Sequence, residues 1–117
     1  MHELSVTQSI FDICLQEARK HSLRKITEIN IRLGRFSTFE PESIIFYFNI
    51  MSKGSIAENA KLKFEIIKIK VLCLNCDNIM ESDEPIFVCT SCGHSNFEIL
   101  EGREFSIESI VGDEEVQ

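Results

Sequence analysis

A chain of 117 residues, 44% apolar and 26% charged, has the size and composition of one ordinary globular domain with room for a small satellite, which excludes wholesale disorder. Nineteen acidic against twelve basic residues leave a net charge of −7, the wrong sign for neutralising phosphates, so nucleic acid is excluded as a partner. No apolar run approaches a membrane span and the first residues lack the basic and apolar stretches of a signal peptide, so the reading is of a cytoplasmic protein that contacts no membrane.

Ser5 and Gln8 have the spacing of a capping box, and Val6, Ile10, Ile13, Cys14, Glu17, Ala18 and His21 then recur on one helical face, which predicts a helix over residues 5–21. From Thr27 to Leu33 strict alternation puts Ile29, Ile31 and Leu33 on one side of a half-buried strand that Gly34 ends. Pro41 suits the first turn of a second helix, whose positions Ile44, Ile45, Phe48 and Met51 follow the helical period before Gly54 stops it. Phe46, Tyr47 and Ile50 widen its apolar face, so it is expected to pack on a sheet and also to meet a further surface such as a second subunit.

Alternation resumes at Lys61, with Leu62, Phe64 and Ile66 on one side and Ile67, Ile69 and Val71 on the other. Parity flips between Ile66 and Ile67, as it does where a strand bulges or leaves one sheet for other surroundings; the second fits the cysteines that follow. Beyond them, Phe97, Ile99 and Leu100 lead to Gly102, and Phe105 and Ile107 alternate with Glu104, Ser106 and Glu108 in a returning strand. Its expected partner is the strand that enters the cysteine segment, making residues 72–96 an insertion at the tip of an antiparallel pair. The last five residues, Asp113 to Gln117, read as a frayed acidic end.

Cys73, Cys76, Cys89 and Cys92 form two C-x2-C pairs with twelve residues between them. Two residues between thiols allow a tight turn to aim both sulfurs at one ion, and a hairpin brings the second pair round to close a tetrahedron. The pattern is that of a zinc ribbon, favoured over iron or paired disulfides, and it suits a reducing compartment. Four thiolates around Zn²⁺ would take the net charge from −7 to about −9. His94, two residues past Cys92, could replace a thiol as ligand or donate a hydrogen bond to a sulfur, and with four cysteines present the hydrogen-bonding role is favoured.

Catalytic signatures are lacking: there is no phosphate-cradling glycine loop, no G-x-S-x-G elbow and no H-E-x-x-H pair. Cys14 lies on the apolar face of a helix, where cysteine behaves as an inert hydrophobe. His21, in a last helical turn, complements the helix dipole. His2 is different. It sets an imidazole, a backbone amide and a free amino group within two residues, a nitrogen-rich set of the kind nickel and copper favour. The terminal amine titrates at roughly 7.7 to 8.0, so binding must release protons. With histidine second and not third, a square of four nitrogens strains its last ring, and Glu3 or water becomes a plausible further ligand.

An initial Met1-His2-Glu3-Leu4-Ser5, a helix, the strand Ile29-Asn30-Ile31-Arg32-Leu33-Gly34 and two C-x2-C knuckles before a short strand together resemble the HypA/HybF family of nickel metallochaperones over nearly the whole length. The resemblance implies an α+β fold: a small mixed sheet flanked by two helices, with an inserted zinc ribbon. Residues 1–71 plus 97–117 would form a nickel-binding domain and residues 72–96 the ribbon. It implies Ni²⁺ as transient cargo, held by the Met1 amine, the His2 imidazole and the His2 and Glu3 backbone amides, and structural Zn²⁺ on Cys73, Cys76, Cys89 and Cys92. The activity implied is delivery of nickel, without catalysis, during [NiFe]-hydrogenase maturation, in some organisms also for urease. Implied partners are a HypB-type GTPase, the hydrogenase large subunit and urease maturation proteins, with the chain itself a monomer or homodimer. One departure is that family members often carry a histidine where this chain has Asn78, which leaves any exchange of thiol for imidazole at the zinc to His94. Two other readings of the knuckles are a zinc-ribbon adaptor in a larger complex, against which residues 72–99 offer no lysine or arginine, and a rubredoxin-like iron electron carrier.

Overall fold

The computed structural model describes residues 2–114, and of His2 the backbone only. In chain order it contains α1 (His2–Lys20), β1 (Leu23–Gly34), α2 (Pro41–Met51), β2 (Lys61–Ile67), β3 (Ile69–Cys73), β4 (Ile79–Ser82), β5 (Phe97–Glu101) and β6 (Phe105–Glu114). The fold is α+β, with two helices and two three-stranded sheets ordered β2-β1-β6 and β4-β3-β5. The chain groups into two compact units. The first takes in the residues up to Ile31, Phe39–Phe64 and everything from Ile107; the second takes in Arg32–Thr38 and Glu65–Ser106.

In the first unit α1 begins three residues earlier than the capping-box reading places it. Thr7 is fully buried and its hydroxyl donates to the carbonyl of Glu3 one turn back, so the turn containing Ser5 is already helical and Ser5 caps nothing. Thr7, Ile10, Cys14 and Ala18 form the buried stripe. Phe11 of α1 meets Phe48 of α2 edge to face, ring centres 5.9 Å apart. Ile44 and Phe48 are the buried positions of α2, whereas Phe46 and Ile50 stand 60% and 54% exposed. Ile29 and Ile31 of β1 are buried as expected, and the strand runs on toward its start through Ile26. Ile26 is buried out of phase with them and gives its N–H to the Ile56 carbonyl, which is why alternation alone stopped at Thr27. The other side of the strand is polar. Glu28 binds Lys63 at 2.7 Å and accepts from Asn30, which also donates to Ser109.

In the second unit the parity flip is a change of sheet: β2 ends at Ile67, and β3 begins at Ile69 with Ile69, Val71 and Cys73 buried in alternation. β3 pairs antiparallel with β4 on one side (Val71 opposite Met80) and with β5 on the other (Val71 opposite Ile99, Cys73 opposite Phe97). The returning chain is therefore two strands and not one. The expected pairing fails for the Phe105–Ile107 alternation, which belongs to β6 and joins β1; the strand beside the one that enters the knuckles is β5. The change of direction falls at Gly102, whose φ of +116° suits glycine and whose carbonyl accepts from Phe36 at 2.7 Å.

That turn lies against Gly34, where an added Cβ would come 2.0 Å from the Gly102 carbonyl oxygen, with only backbone to yield. Gly34→Ala should therefore cost about 3 kcal/mol or more by overpacking. Gly54→Ala, with φ +79° but open space around it, should cost only about 1–2 kcal/mol through its left-handed backbone. Thermal unfolding of the two variants compares them, and equal losses would remove the close approach as the reason for glycine at 34.

Candidate metal centre

β3 delivers Cys73, and the chain then makes two turns of the same construction. In the first, the Cys73 N–H donates to the Asn78 carbonyl at 2.8 Å and the Asp77 N–H donates back to the Cys73 carbonyl at 2.8 Å. In the second, the Cys89 N–H donates to the His94 carbonyl at 2.8 Å and the Gly93 N–H returns to the Cys89 carbonyl at 3.0 Å. Asp77 and Gly93 hold matching left-handed positions, φ 64° and 78°, of the kind Gly, Asp and Asn tolerate best. Superimposing Cys-x-x-Cys-Asp-Asn on Cys-x-x-Cys-Gly-His would have found this equivalence in the sequence; single-residue reading passed over Asp77.

The four Sγ atoms lie within 4.8 Å of one another, with Cys73 to Cys92 and Cys76 to Cys89 each at 3.6 Å. A disulfide needs about 2.05 Å, so these are free thiols. Bonds of about 2.3 Å from a central ion make a tetrahedron with edges near 3.8 Å, so the four sulfurs fit one tetrahedral cation. Cys73 and Cys89 are buried, Cys92 half-buried and Cys76 exposed.

Amides point at the sulfurs. Cys89 receives the Ser91 N–H at 3.4 Å and the Asn78 side-chain amide at 3.9 Å, and its thiol is drawn below the usual range, first by the Cys92 backbone N–H. The backbone N–H of His94 and the side-chain amide of Asn75 pull the Cys92 thiol down to about 5. The Asn78 N–H pulls Cys76 down too, but burial and hydrogen bonds with the other three cysteines outweigh it, pushing this thiol up to about 12. One thiolate thus forms easily while another resists, because four negative charges cannot share so small a space without a cation.

His94 is exposed and lies outside the sulfur cluster. Its Nδ1 is 3.2 Å from the Asn75 amide nitrogen and 3.3 Å from the Cys92 carbonyl, and hydrogen bonding to Cys92 raises its basicity. Asn75 was not singled out from the sequence, yet its amide reaches from the first knuckle to the second. Cys14 is fully buried and its thiol is pushed up to about 12 by desolvation, so it is inert at neutral pH. His21 is exposed just past α1, 3.6 Å from Glu17. Of the nitrogen-rich set, Met1 and the His2 side chain lie outside the described residues. Glu3 sits in the first turn of α1, and its carboxyl is held below the usual carboxylate range by its own backbone N–H and by that of Glu40.

Comparison with known proteins gives one consistent result. The family described as "Hydrogenase/urease nickel incorporation, metallochaperone, hypA" matches residues 1–112. A hydrogenase maturation factor HypA from Caldanaerobacter subterraneus is 40% identical over 111 residues, covering 94% of this chain and 97% of the relative. One from Aquifex aeolicus is 32% identical over 110 residues, covering 94% and 96%. Among solved structures, a HypA protein in solution superposes with a TM-score of 0.71 at 25% identity, covering 98% of both chains. The nickel metallochaperone HypA of Helicobacter pylori shares the fold at a TM-score of 0.66 and 23% identity, covering 97% of this chain and 98% of that one.

Removing bound metal with a chelator should collapse the NMR dispersion of residues 69–101 and leave the signals of α1 and α2 in place. In the metal-free protein, iodoacetamide at about pH 6.5 should label Cys92 first and spare Cys14, as peptide mass mapping will show. The Cys92 thiol is lower in the folded chain than in the unfolded one, so its thiolate stabilises the fold above the ordinary thiol range and that contribution fades as pH falls through about 5. Labelling of Cys14 as fast as Cys92 would contradict the environments assigned to both.

Proposed function

The chain belongs to the HypA family, and from that membership we propose that it is a cytoplasmic nickel carrier, not a catalyst, that loads Ni²⁺ at its first three residues and gives it up during [NiFe]-hydrogenase maturation. The observation that carries this reading is the family match over residues 1–112 joined to a helix that starts at His2. The first four N–H groups of a helix have no carbonyl behind them. A metal can therefore take the amide nitrogens of His2 and Glu3 without breaking a helical hydrogen bond, whereas two turns further on each such bond would cost stability.

Nickel accepts amine, imidazole and deprotonated amide nitrogens in flat arrays, and it tolerates the added oxygen that Glu3 or water would bring. The Met1 amine, the His2 imidazole and the His2 and Glu3 amides make up that donor set. Each of these nitrogens must be free of a proton to bind, so affinity rises with pH through the range of the terminal amine, roughly 7.7 to 8.0. Glu3 remains a carboxylate throughout, its proton affinity already lowered. A donor set at a chain terminus needs no packed structure to be dismantled before it is handed to a partner. The partners proposed are a HypB-type GTPase and the hydrogenase large subunit, with urease maturation proteins where urease is the client.

The four cysteines have a different task in this scheme. Cys73, Cys76, Cys89 and Cys92 hold Zn²⁺, which supplies the positive charge that lets four thiolates coexist and so holds the ribbon closed. A closed four-sulfur site leaves no position for an incoming donor, which suits a permanent ion and not a transferable one. The tetrahedral fit of the sulfurs and the absence of lysine and arginine from residues 72–99 favour this role over a nucleic-acid adaptor. Metal analysis and the missing visible absorption of ferric thiolates would distinguish it from an iron electron carrier.

Titrating Ni²⁺ into three forms tests the proposal: the native terminus, His2→Ala, and a chain with one residue added before Met1. Both altered forms should lose nickel affinity by on the order of a hundredfold, at least what loss of a supporting group costs a metal site, while keeping one zinc per chain. Equal nickel affinity in all three would place the cargo elsewhere.

A further inference from the structure

The side of α2 turned away from the core carries one continuous stripe. Ile44 and Phe48 bury the opposite side, whereas Glu42, Phe46, Asn49, Ile50 and, just past the last turn, Lys53 are exposed. These positions follow one another at intervals of three or four residues, so they stack along one line of the helix. Phe46 and Ile50 are each more than half exposed, although Phe46 meets Tyr47 edge to face at 5.5 Å between ring centres. Two large apolar side chains one turn apart make a patch and not the scattered singles of an ordinary solvated surface.

The ends of the stripe select what covers it. An acid, Glu42, stands at its start and a base, Lys53, at its finish, and among the described residues neither makes an ion pair. Two copies of α2 laid antiparallel about a two-fold axis bring Glu42 of each protomer beside Lys53 of the partner subunit. The same axis, at the turn of Tyr47 and Phe48, sets Phe46 of each protomer against Ile50 of the partner subunit. Charged and apolar pairs thus share a single register, a coincidence that neither solvent nor an unrelated partner requires. Asn49 falls beside the axis, where a polar residue can bond to its own copy and hold that register. A parallel arrangement would instead oppose acid to acid and base to base. The end of α2 is open to such an approach: the chain turns away at Gly54, φ +79°, where an added Cβ would meet nothing within 4 Å.

We propose that the exposed face of α2 is covered by a second copy of this chain in an isologous antiparallel helix pair, with Phe46 and Ile50 at its centre and Glu42–Lys53 pairs at both ends. Two apolar side chains per copy place the contact among small, transient interfaces, so the dimer forms at high protein concentration. None of the proposed metal ligands lies on α2, and the proposal stands apart from the nickel reading.

Sedimentation of the full-length protein should show monomer at about 1 μM passing toward dimer as the concentration approaches about 1 mM. Phe46→Glu, a change at an exposed position, should keep the circular dichroism of the parent and stay monomeric throughout. Glu42→Lys and Lys53→Glu should each weaken dimerisation about fivefold, because each sets like charges together at both ends of the pair. Mixed in equal amounts, these two variants should pair with each other at the parent's affinity, since each then meets the opposite charge at both ends. In a mixture of isotope-labelled and unlabelled parent chains, nuclear Overhauser contacts should join the Phe46 ring of one chain to the Ile50 methyls of the other. A protein that is still monomeric at about 1 mM would overturn the proposal. So would undiminished dimerisation of Phe46→Glu, no recovery in the mixture of variants, or intermolecular contacts from elements other than α2.

Discussion

Four thiols brought within 4.8 Å of one another cannot all ionise without a cation at their centre, and the second unit of this protein is built around that requirement. The Cys92 thiol at about 5 and the Cys76 thiol at about 12 express the conflict: amides aimed at the sulfurs favour thiolate, and the sulfurs themselves oppose it. A divalent ion resolves the conflict for all four at once. This explains why so slight a structure can persist. β4 is four residues long, Leu74, Ile79, Phe87 and Val88 are exposed, and the buried apolar residues around the knuckles are few. Apolar burial at about 25 cal/mol per Å² gives such a segment little, whereas a structural zinc site supplies on the order of 10 kcal/mol.

The first unit is organised on the opposite principle. Its core of isoleucines, Phe48, Cys14 and the alanines needs no ion, and α1 is held along its length by the buried stripe from Thr7 to Ala18. The helix therefore reaches to the second residue of the chain. Under the proposed function, the amides of His2 and Glu3 at this helix start are the metal ligands. A capping box at Ser5, had it formed, would have begun the helix beyond His2 and Glu3.

What could be read from the sequence followed from local rules that tertiary packing did not overrule. The parity flip at Ile66–Ile67 marked the passage between sheets because alternation is set by which face is buried, and the cysteine spacing marked the cluster because two-residue turns fix where sulfurs point. Pro41 marked the start of α2 because its ring fits only the first helical turn. The misread points depend on partners distant in the chain. The early start of α1 depends on Thr7 being buried, the extension of β1 through Ile26 on the Ile56 carbonyl, and the division of the returning strand on Gly102 meeting Phe36. Asn75 escaped notice because its role exists only once the second knuckle lies against the first.

The excess of acid bears on both proposed metals without specifying either. A net charge of −7 raises the local concentration of any divalent cation and steers basic partners toward the surface, but over a Debye length of about 8 Å it does not discriminate among them. Discrimination requires donors that converge. Among the described residues the four cysteines are the one group of three or more candidate donors whose ligand atoms meet in this way, and the carboxylates of Glu17, Glu108 and Glu114 do not. In the proposed scheme soft thiolates in a tetrahedron retain zinc, and a terminal amine beside an imidazole attracts nickel. Scattered carboxylates retain neither. Acid on this surface attracts ions, and the geometry of sulfur and nitrogen decides which of them stay.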